Sequence, residues 1–347
     1  MFYKLFAASL IALAAAVLVA CSPAAAPAPA PTELPASSPS TTTSALNVVS
    51  TVSPITSVVE NIGGTRINLI GVVPEGVNSH TFDPAPSVAA TLSQADLIFL
   101  NGLFLEEPTL EMAKANLKPG ASIVSLGEQT ISRDQWEFDF SFPEELGHPN
   151  PHLWPDPILT LRYAEIVRDN LTARDPANSD YYSSNYDAFA ARIASLDAAI
   201  KEAVPTIPPE NRKLLTYHDS WAYFADRYGI TVVGAAQPED FSEPSAKEVA
   251  DLITQIQTEG IPAVFGSEVF PNDIMETIAA ESGATYIDEL SDDDLPGVPG
   301  DPDHSYLGLE VANLRIIIPA LGGDASALDK VDISPVFEGA SNAVYPQ

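Results

Sequence analysis

Short apolar stretches alternate with helix-period stretches along most of this chain, and that alternation limits the possible folds more than any other feature. The strand-like stretches are Leu46–Val52, Ile67–Val73, Leu97–Asn101 and Ser122–Ser125, then Leu214–Thr216, Thr231–Val233, Ala263–Phe265 and Thr285–Ile287. Helical patterns lie between them, around Ile55–Ile62, Pro86–Gln94, Glu106–Ala115, Trp221–Tyr228, Ser245–Glu259 and Asp273–Ser282, and one closes the series from Tyr306 to Leu321. Repeated strand–helix–strand units imply parallel pairing, because a parallel neighbour is reached only through a crossover. Between the two sets run Pro157–Thr172 and Ser179–Val204. The second carries Phe189, Ile193, Leu196 and Ile200 at helical spacing and stops at a Pro-rich TIPPE. The expected fold is therefore α/β, with two lobes, each a mostly parallel sheet flanked by helices. We place the first lobe at residues 46–178, a linking helix at 179–205, the second lobe at 206–325 and a C-terminal tail at 326–347.

Before residue 46 the composition changes. Lys4 precedes an apolar run, Leu5 to Ala20, that ends in Leu18-Val19-Ala20-Cys21. A basic start, a short apolar run and small residues before a cleavage point describe an export signal, here residues 1–20. The run is shorter than the roughly 20 residues of a spanning helix. LVAC resembles a bacterial lipobox, which implies cleavage before Cys21 and lipid on its sulfur. Cys21 is the single cysteine of the chain, so no intrachain disulfide is possible. Residues 21–45 are rich in Ala, Pro, Ser and Thr, with almost no bulky apolar side chain, and read as a semi-extended tether. Lipid would hold the body on a membrane surface without spanning it.

The formal net charge is −31, which argues against nucleic acid as a partner. Acidity by itself is explained by solubility and does not show metal binding. The histidines are more telling. There are five, and four sit in loops that follow strand-like stretches: His80, His152, His218 and His304. Ligands of open α/β sheets bind at the carboxyl ends of strands, and imidazole suits zinc. On the lobe assignment each lobe contributes two, facing one another across a cleft. None belongs to a local metal motif. His148 lies within the acidic Gly127–Trp154 stretch, where Pro149 and Pro151 disfavour a helix, and reads as a solvated loop residue, with a transient metal contact as the alternative. Glu268, after Ala263–Phe265, reads as a group that orients a histidine or lines the cleft. Asp301 and Asp303 flank His304 and are alternative ligands. Asp83 faces solvent or orients His80, and Glu243 reads as a charge at a helix start.

Several segments together resemble the zinc/manganese solute-binding lipoproteins of bacterial ABC importers. NSHTFDPAPS looks like that family's first histidine loop, and NGLFLEE like its strand-end segment. NPHLWPDP resembles an Asp-Pro-His-x-Trp motif, with Asn150 in place of Asp. TYHDSWAYFADRYG, EPSAKEVADLI, AVFGSEVF and HSYLGLEVANLRII follow in order. The resemblance covers residues 46–325 and the lipobox. It implies two lobes joined by one rigid helix, with the metal held between them. It also implies a permease driven by a cytoplasmic ATPase. Carried over, His80, His152 and His218 are the first three ligands, and His304 stands at a position commonly Asp. The His-rich loop of zinc importers is reduced here to His148.

A four-imidazole site would be tetrahedral and favour Zn²⁺, with Mn²⁺ second, because harder cations prefer oxygen. The expectation is an exported, monomeric, lipid-anchored protein on the outer face of the cytoplasmic membrane that passes metal to its permease and is not an enzyme. Two alternatives compete: an exported zinc hydrolase with Glu268 as base, and an adhesin-like lipoprotein with a structural metal.

Overall fold

The computed structural model describes residues 45–271, 273–288 and 290–347. The export signal, Cys21 and all of the tether but Ala45 lie outside the described residues. Among the described residues, no helix is long and apolar enough to cross a membrane.

The first lobe runs β1 (Leu46–Ser50), α1 (Ser53–Gly63), β2 (Ile67–Gly71), α2 (Val88–Gln94), β3 (Leu97–Leu100), α3 (Glu107–Asn116) and β4 (Ser122–Ser125). Its strands are parallel in the order β2-β1-β3-β4. β3 is buried at every position, as a strand covered on both faces must be, whereas β2 alternates in and out like an edge. The strand stops at Leu100 because the Asn101 N–H leaves the ladder and donates to Glu106 Oε1 at 2.7 Å. The expected irregular stretch 127–154 is in part ordered. It opens within α4 (Leu126–Thr130) and includes short 3-10 turns at Arg133–Gln135 and Glu144–Leu146.

Two long helices follow. α5 (Pro157–Arg174) starts where Pro157 sets the first turn and the Asp156 carboxylate accepts the Ile158 and Leu159 N–H groups. α6 (Ser179–Ala203) has 25 residues, about 37 Å at 1.5 Å per residue. Its buried stripe includes Tyr182, Phe189, Ile193, Leu196 and Ile200.

The second lobe repeats the plan with β5 (Lys213–Thr216), α7 (Ala222–Tyr228), β6 (Thr231–Ala235), α8 (Ala246–Glu259), β7 (Ala263–Phe265), α9 (Asp273–Ser282), β8 (Thr285–Ile287) and α10 (Tyr306–Ala320). Its parallel order is β6-β5-β7-β8. α8 is started by a capping box between Ser245 and Glu248, so the first-turn role expected of Glu243 falls to these two.

One apolar core passes through both lobes. Val48 and Phe99 of the first sheet, Phe189 and Ile193 of α6, Leu214 and Phe265 of the second sheet and Leu314 of α10 belong to a single buried cluster. α10 also reaches the first lobe: the Tyr306 N–H donates to Ser57 Oγ, and its hydroxyl donates to the Trp154 carbonyl. The segment after α10 does not trail away. Its Val344 pairs with Ile70 at the outer edge of β2.

Candidate metal centre

Three imidazoles meet where the two lobes face each other. His80 Nε2 lies 3.0 Å from His152 Nε2 and 3.1 Å from His218 Nε2. The rings stand steeply to one another, at 61°, 88° and 89°. The Nε2 atom of His80 thus faces those of both others. A tetrahedral zinc with arms of about 2.0–2.1 Å has ligand–ligand edges of about 3.3 Å. The observed spacings are close to that value.

Each ring is aimed from behind. His80 sits in the loop after β2, where its backbone N–H donates to Asn78 Oδ1 and its ring stacks on Phe241. His152 is fully buried, and Asn150 Oδ1 faces its Nδ1 at 2.7 Å while accepting its backbone N–H. Nδ1 therefore carries the proton and Nε2 keeps its lone pair. His218 follows β5 directly, and its Nδ1 faces Asp292 Oδ2 at 2.5 Å. The NGLFLEE segment supports His152 from below. Gly102, Leu103 and Phe104 all have positive φ, and Glu106 and Glu128 accept the N–H groups of Gly102 and Leu103. Asn101 Nδ2 then donates to the Pro151 carbonyl. Burial raises the Glu106 carboxyl to about 7.

The acidic wall comes from residues 292–294, beyond β8. His152, Asp292 and Asp293 place ligand atoms within 4.8 Å of one another. Asp293 Oδ2 accepts the Ser79 N–H at 3.2 Å, while its Oδ1 is buried without a partner. Asp293, grouped with His152, thus keeps an orphaned carboxylate oxygen and is a candidate fourth donor for a cation held by the three imidazoles. Glu268 builds this wall. Its Oε1 accepts the N–H groups of Asp292, Asp293 and Asp294 at 2.9, 2.9 and 3.2 Å, and Ser267 Oγ donates to its Oε2. Trp154 pins the same turn by donating to the Asp292 carbonyl.

The electrostatics divide the histidines. Burial, then His218, holds His80 well below the usual imidazole range. Burial, then His218 and His80, does the same to His152. For His218 burial pulls downward, but Asp292, with Asp293 and Glu268, carries it up to about 9. Burial and then Asp292 raise Asp293 to about 6, and burial with both aspartates raises Glu268 well above a usual carboxyl.

Aromatic rings close the outer side. Phe241 stacks on His80 at 4.5 Å, Phe142 lies edge-on to His152, and Phe270 is tilted against His218. Phe241 holds a positive φ of 57°, a strained position for a non-glycine residue. Below them Asn150 Nδ2 donates to Asp139 Oδ2 and to the Asp219 carbonyl, and the Ser141 N–H donates to Asp219 Oδ2. Burial and the facing Asp219 raise Asp139 to about 9.

His304 is not in this cluster, which corrects the two-per-lobe expectation. Its Nδ1 faces the Pro296 carbonyl at 3.2 Å, and its Nε2 lies 3.6 Å from Glu75 Oε1. The turn before it is closed by the His304 N–H donating to the Asp301 carbonyl at 3.2 Å. Asp301 and Asp303 are exposed, with Asp301 Oδ2 accepting the Val298 N–H, so neither joins the three histidines. His148 is exposed and stacked on Phe104, and Asp83 faces solvent. The sequence reading missed Asp292 and Asp293. Their signal was the Asp run in SDDDLPG, nearer to the end of β8 than Asp301.

The chain matches the family model described as zinc-uptake complex component A, periplasmic (ZnuA), over residues 48–320. The manganese-binding lipoprotein MntA of Halalkalibacterium halodurans is 28% identical over 276 residues, 80% of this chain and 88% of that protein. The zinc-binding protein TroA of Treponema pallidum is 28% identical over 283 residues, 79% of this chain and 88% of that protein. The solved structure of periplasmic zinc-binding TroA from Treponema pallidum superposes with a TM-score of 0.73 at 28% identity, covering 80% of this chain and 99% of that one.

Proposed function

The chain belongs to the zinc-uptake complex component A family, metal-binding substrate-binding proteins of ABC importers rather than enzymes, and from that premise we propose that it captures Zn²⁺, with Mn²⁺ second. His80, His152 and His218 donate through Nε2, and Asp293 through its free Oδ1. Lipid on Cys21 holds a monomeric body at the outer face of the cytoplasmic membrane, from which it delivers the ion to a permease and its ATPase. Relatives named as lipoproteins support the anchoring.

The observation that carries the reading is the pair of Nε2–Nε2 distances, 3.0 and 3.1 Å, beside an unpartnered buried carboxylate oxygen. Three nitrogens and one oxygen make the site more mixed than four imidazoles. Three imidazoles still favour zinc, and the carboxylate keeps manganese second. The hydrolase alternative loses its base, because both oxygens of Glu268 are already occupied by hydrogen bonds.

The test is a calorimetric competition between Zn²⁺ and Mn²⁺, repeated on His152→Ala. Zn²⁺ should win, and the variant should bind orders of magnitude more weakly while its apo form keeps the wild-type circular dichroism. Tighter Mn²⁺ than Zn²⁺ binding overturns the metal preference, and unchanged affinity in His152→Ala overturns the site.

A further inference from the structure

The family match ends at residue 320, yet the segment beyond it stays bound to the body through a few specific contacts. After a 3-10 turn at Ser326–Lys330 it passes along α6, where Arg192 pairs with Asp332 at 3.0 Å. It then crosses to the first lobe and lies beside β2. The Val344 N–H donates to the Leu69 carbonyl at 2.9 Å, and the Gly71 N–H donates to the Val344 carbonyl at 3.0 Å. The chain thus gains a short fifth row on the open edge of the first sheet, which is how an exposed edge strand is satisfied.

The contacts do not stop at the edge. The Glu75 N–H donates to the Pro346 carbonyl at 3.1 Å, and Gln347 Nε2 donates to Glu75 Oε2 at 2.7 Å. Tyr345 is buried, donates its hydroxyl to Glu60 Oε2 at 2.7 Å, and packs its ring against the edge of His304 at 4.8 Å. Glu75 and His304 lead to the two loops that carry donors. Five residues after Glu75 comes His80. Between them Gly76 N–H donates to Asp294 Oδ2 and Ser79 N–H to Asp293 Oδ2. On the other side His304 faces the Pro296 carbonyl, which follows the Asp292–Asp294 turn.

We infer that residues 341–347 form a strap that positions the His80 loop and the Asp293 turn for metal, with Glu75 and His304 as its points of purchase. The inference rests on the proposed metal site. Groups that orient metal ligands from behind typically change affinity by about 10–100-fold when removed. Coupling between two sites is also reciprocal, so bound metal should tighten the strap by the same factor by which the strap tightens metal.

The experiment compares the wild type with a variant lacking residues 341–347 and with Val344→Pro, which removes the N–H that donates to Leu69. Three quantities are read: Zn²⁺ affinity by chelator competition, the visible spectrum of the Co²⁺-substituted protein, and amide hydrogen exchange at Gly71 and Glu75. Both amides should be protected in the wild type, more so with Zn²⁺ bound, and exposed in the variants. Zn²⁺ affinity should fall about 10–100-fold with a changed Co²⁺ spectrum. If both amides become exposed while affinity and spectrum stay as in wild type, the strap has no part in metal binding. If the amides are unprotected in the wild type, the strap itself is wrong. Should the shortened chain fail to fold, Val344→Pro decides by the same readouts. Failure of the wild type to bind Zn²⁺ or Co²⁺ at all sinks the site, a result separate from a strap that proves idle.

Discussion

Raising the pH from 7 to 9 should strengthen Zn²⁺ binding by about 50-fold, and the reason is one histidine. Imidazole binds metal only when neutral. Burial and neighbouring imidazoles already keep His80 and His152 neutral at pH 7. His218 is different: burial lowers it, but Asp292 at 2.5 Å, with Asp293 and Glu268 behind it, carries it to about 9. At pH 7 it lies about two units below that value. Freeing its nitrogen then costs about 2.7 kcal/mol, at 1.36 kcal/mol per unit. The logarithm of the affinity should therefore climb from pH 7 with a slope near one, bend over around pH 9 and then level off. Chelator competition across this range measures the slope. Calorimetry in buffers of different ionisation enthalpy should count about one proton released at pH 7. Asp292→Asn removes the main upward influence, leaves burial opposed only by Asp293 and Glu268, and should flatten the slope. Stability of the metal-free protein should move the opposite way. A folded-state value raised above 6.5 contributes stability that is complete below pH 6.5 and is lost as pH rises through about 9. A flat profile in the wild type, or a release of two to three protons at pH 7, would refute this account of the three rings.

Two substitutions test the other donors and their supports. Asp293→Asn should weaken Zn²⁺ binding by more than about 10-fold, while Asp301→Asn, at an exposed turn, should leave it within about twofold of wild type; equal effects would return the fourth ligand to the 301–304 loop. Asn150→Ala leaves His152 Nδ1 and the Asp219 carbonyl without their partner. It should lower stability by about 1–3 kcal/mol and metal affinity by about 10–100-fold, seen together in a thermal melt and a zinc titration.

The parallel sheets were legible because their signal is local. Ser122–Ser125, Ala263–Phe265, Asp273–Ser282 and Thr285–Ile287 were read with the bounds they have in the structure. Ends moved where a side chain took over a backbone group, as Glu106 does with the Asn101 N–H. His80, His152 and His218 were legible as three loops at strand ends, and their meeting point required the fold. The proposed fourth donor was not, because it depends on how far the 18-residue loop between β8 and α10 travels. His304 faces Glu75 and the Pro296 carbonyl, and the nearer Asp292–Asp294 turn reaches the cleft instead. Its shape depends on Glu268, which binds three consecutive N–H groups from another strand end. The strap was read as a plain tail because its pairing partner, β2, lies some 270 residues earlier and no local pattern announces an edge contact.

The shared core bears on where such a site can yield. His80 and His152 come from the first lobe, and His218 and Asp293 from the second, so release of an ion requires the two sides to separate by at least the width of a coordination bond. Parting the lobes as rigid bodies would expose residues such as Phe189, Ile193, Leu214 and Phe265, all fully buried in one cluster. Each costs about 1.5–3 kcal/mol to bring into water, so these four alone cost about as much as the whole net stability typical of a domain. Moving the loops costs far less. The turn around Phe241 is half-exposed and holds a strained φ, and the His80 loop is tied to the second lobe chiefly by the Gly76 and Ser79 N–H groups, each worth about 1 kcal/mol net. The compliance of the centre therefore lies in its donor loops, and contacts that brace those loops, the strap among them, weigh directly on how tightly the ion is held.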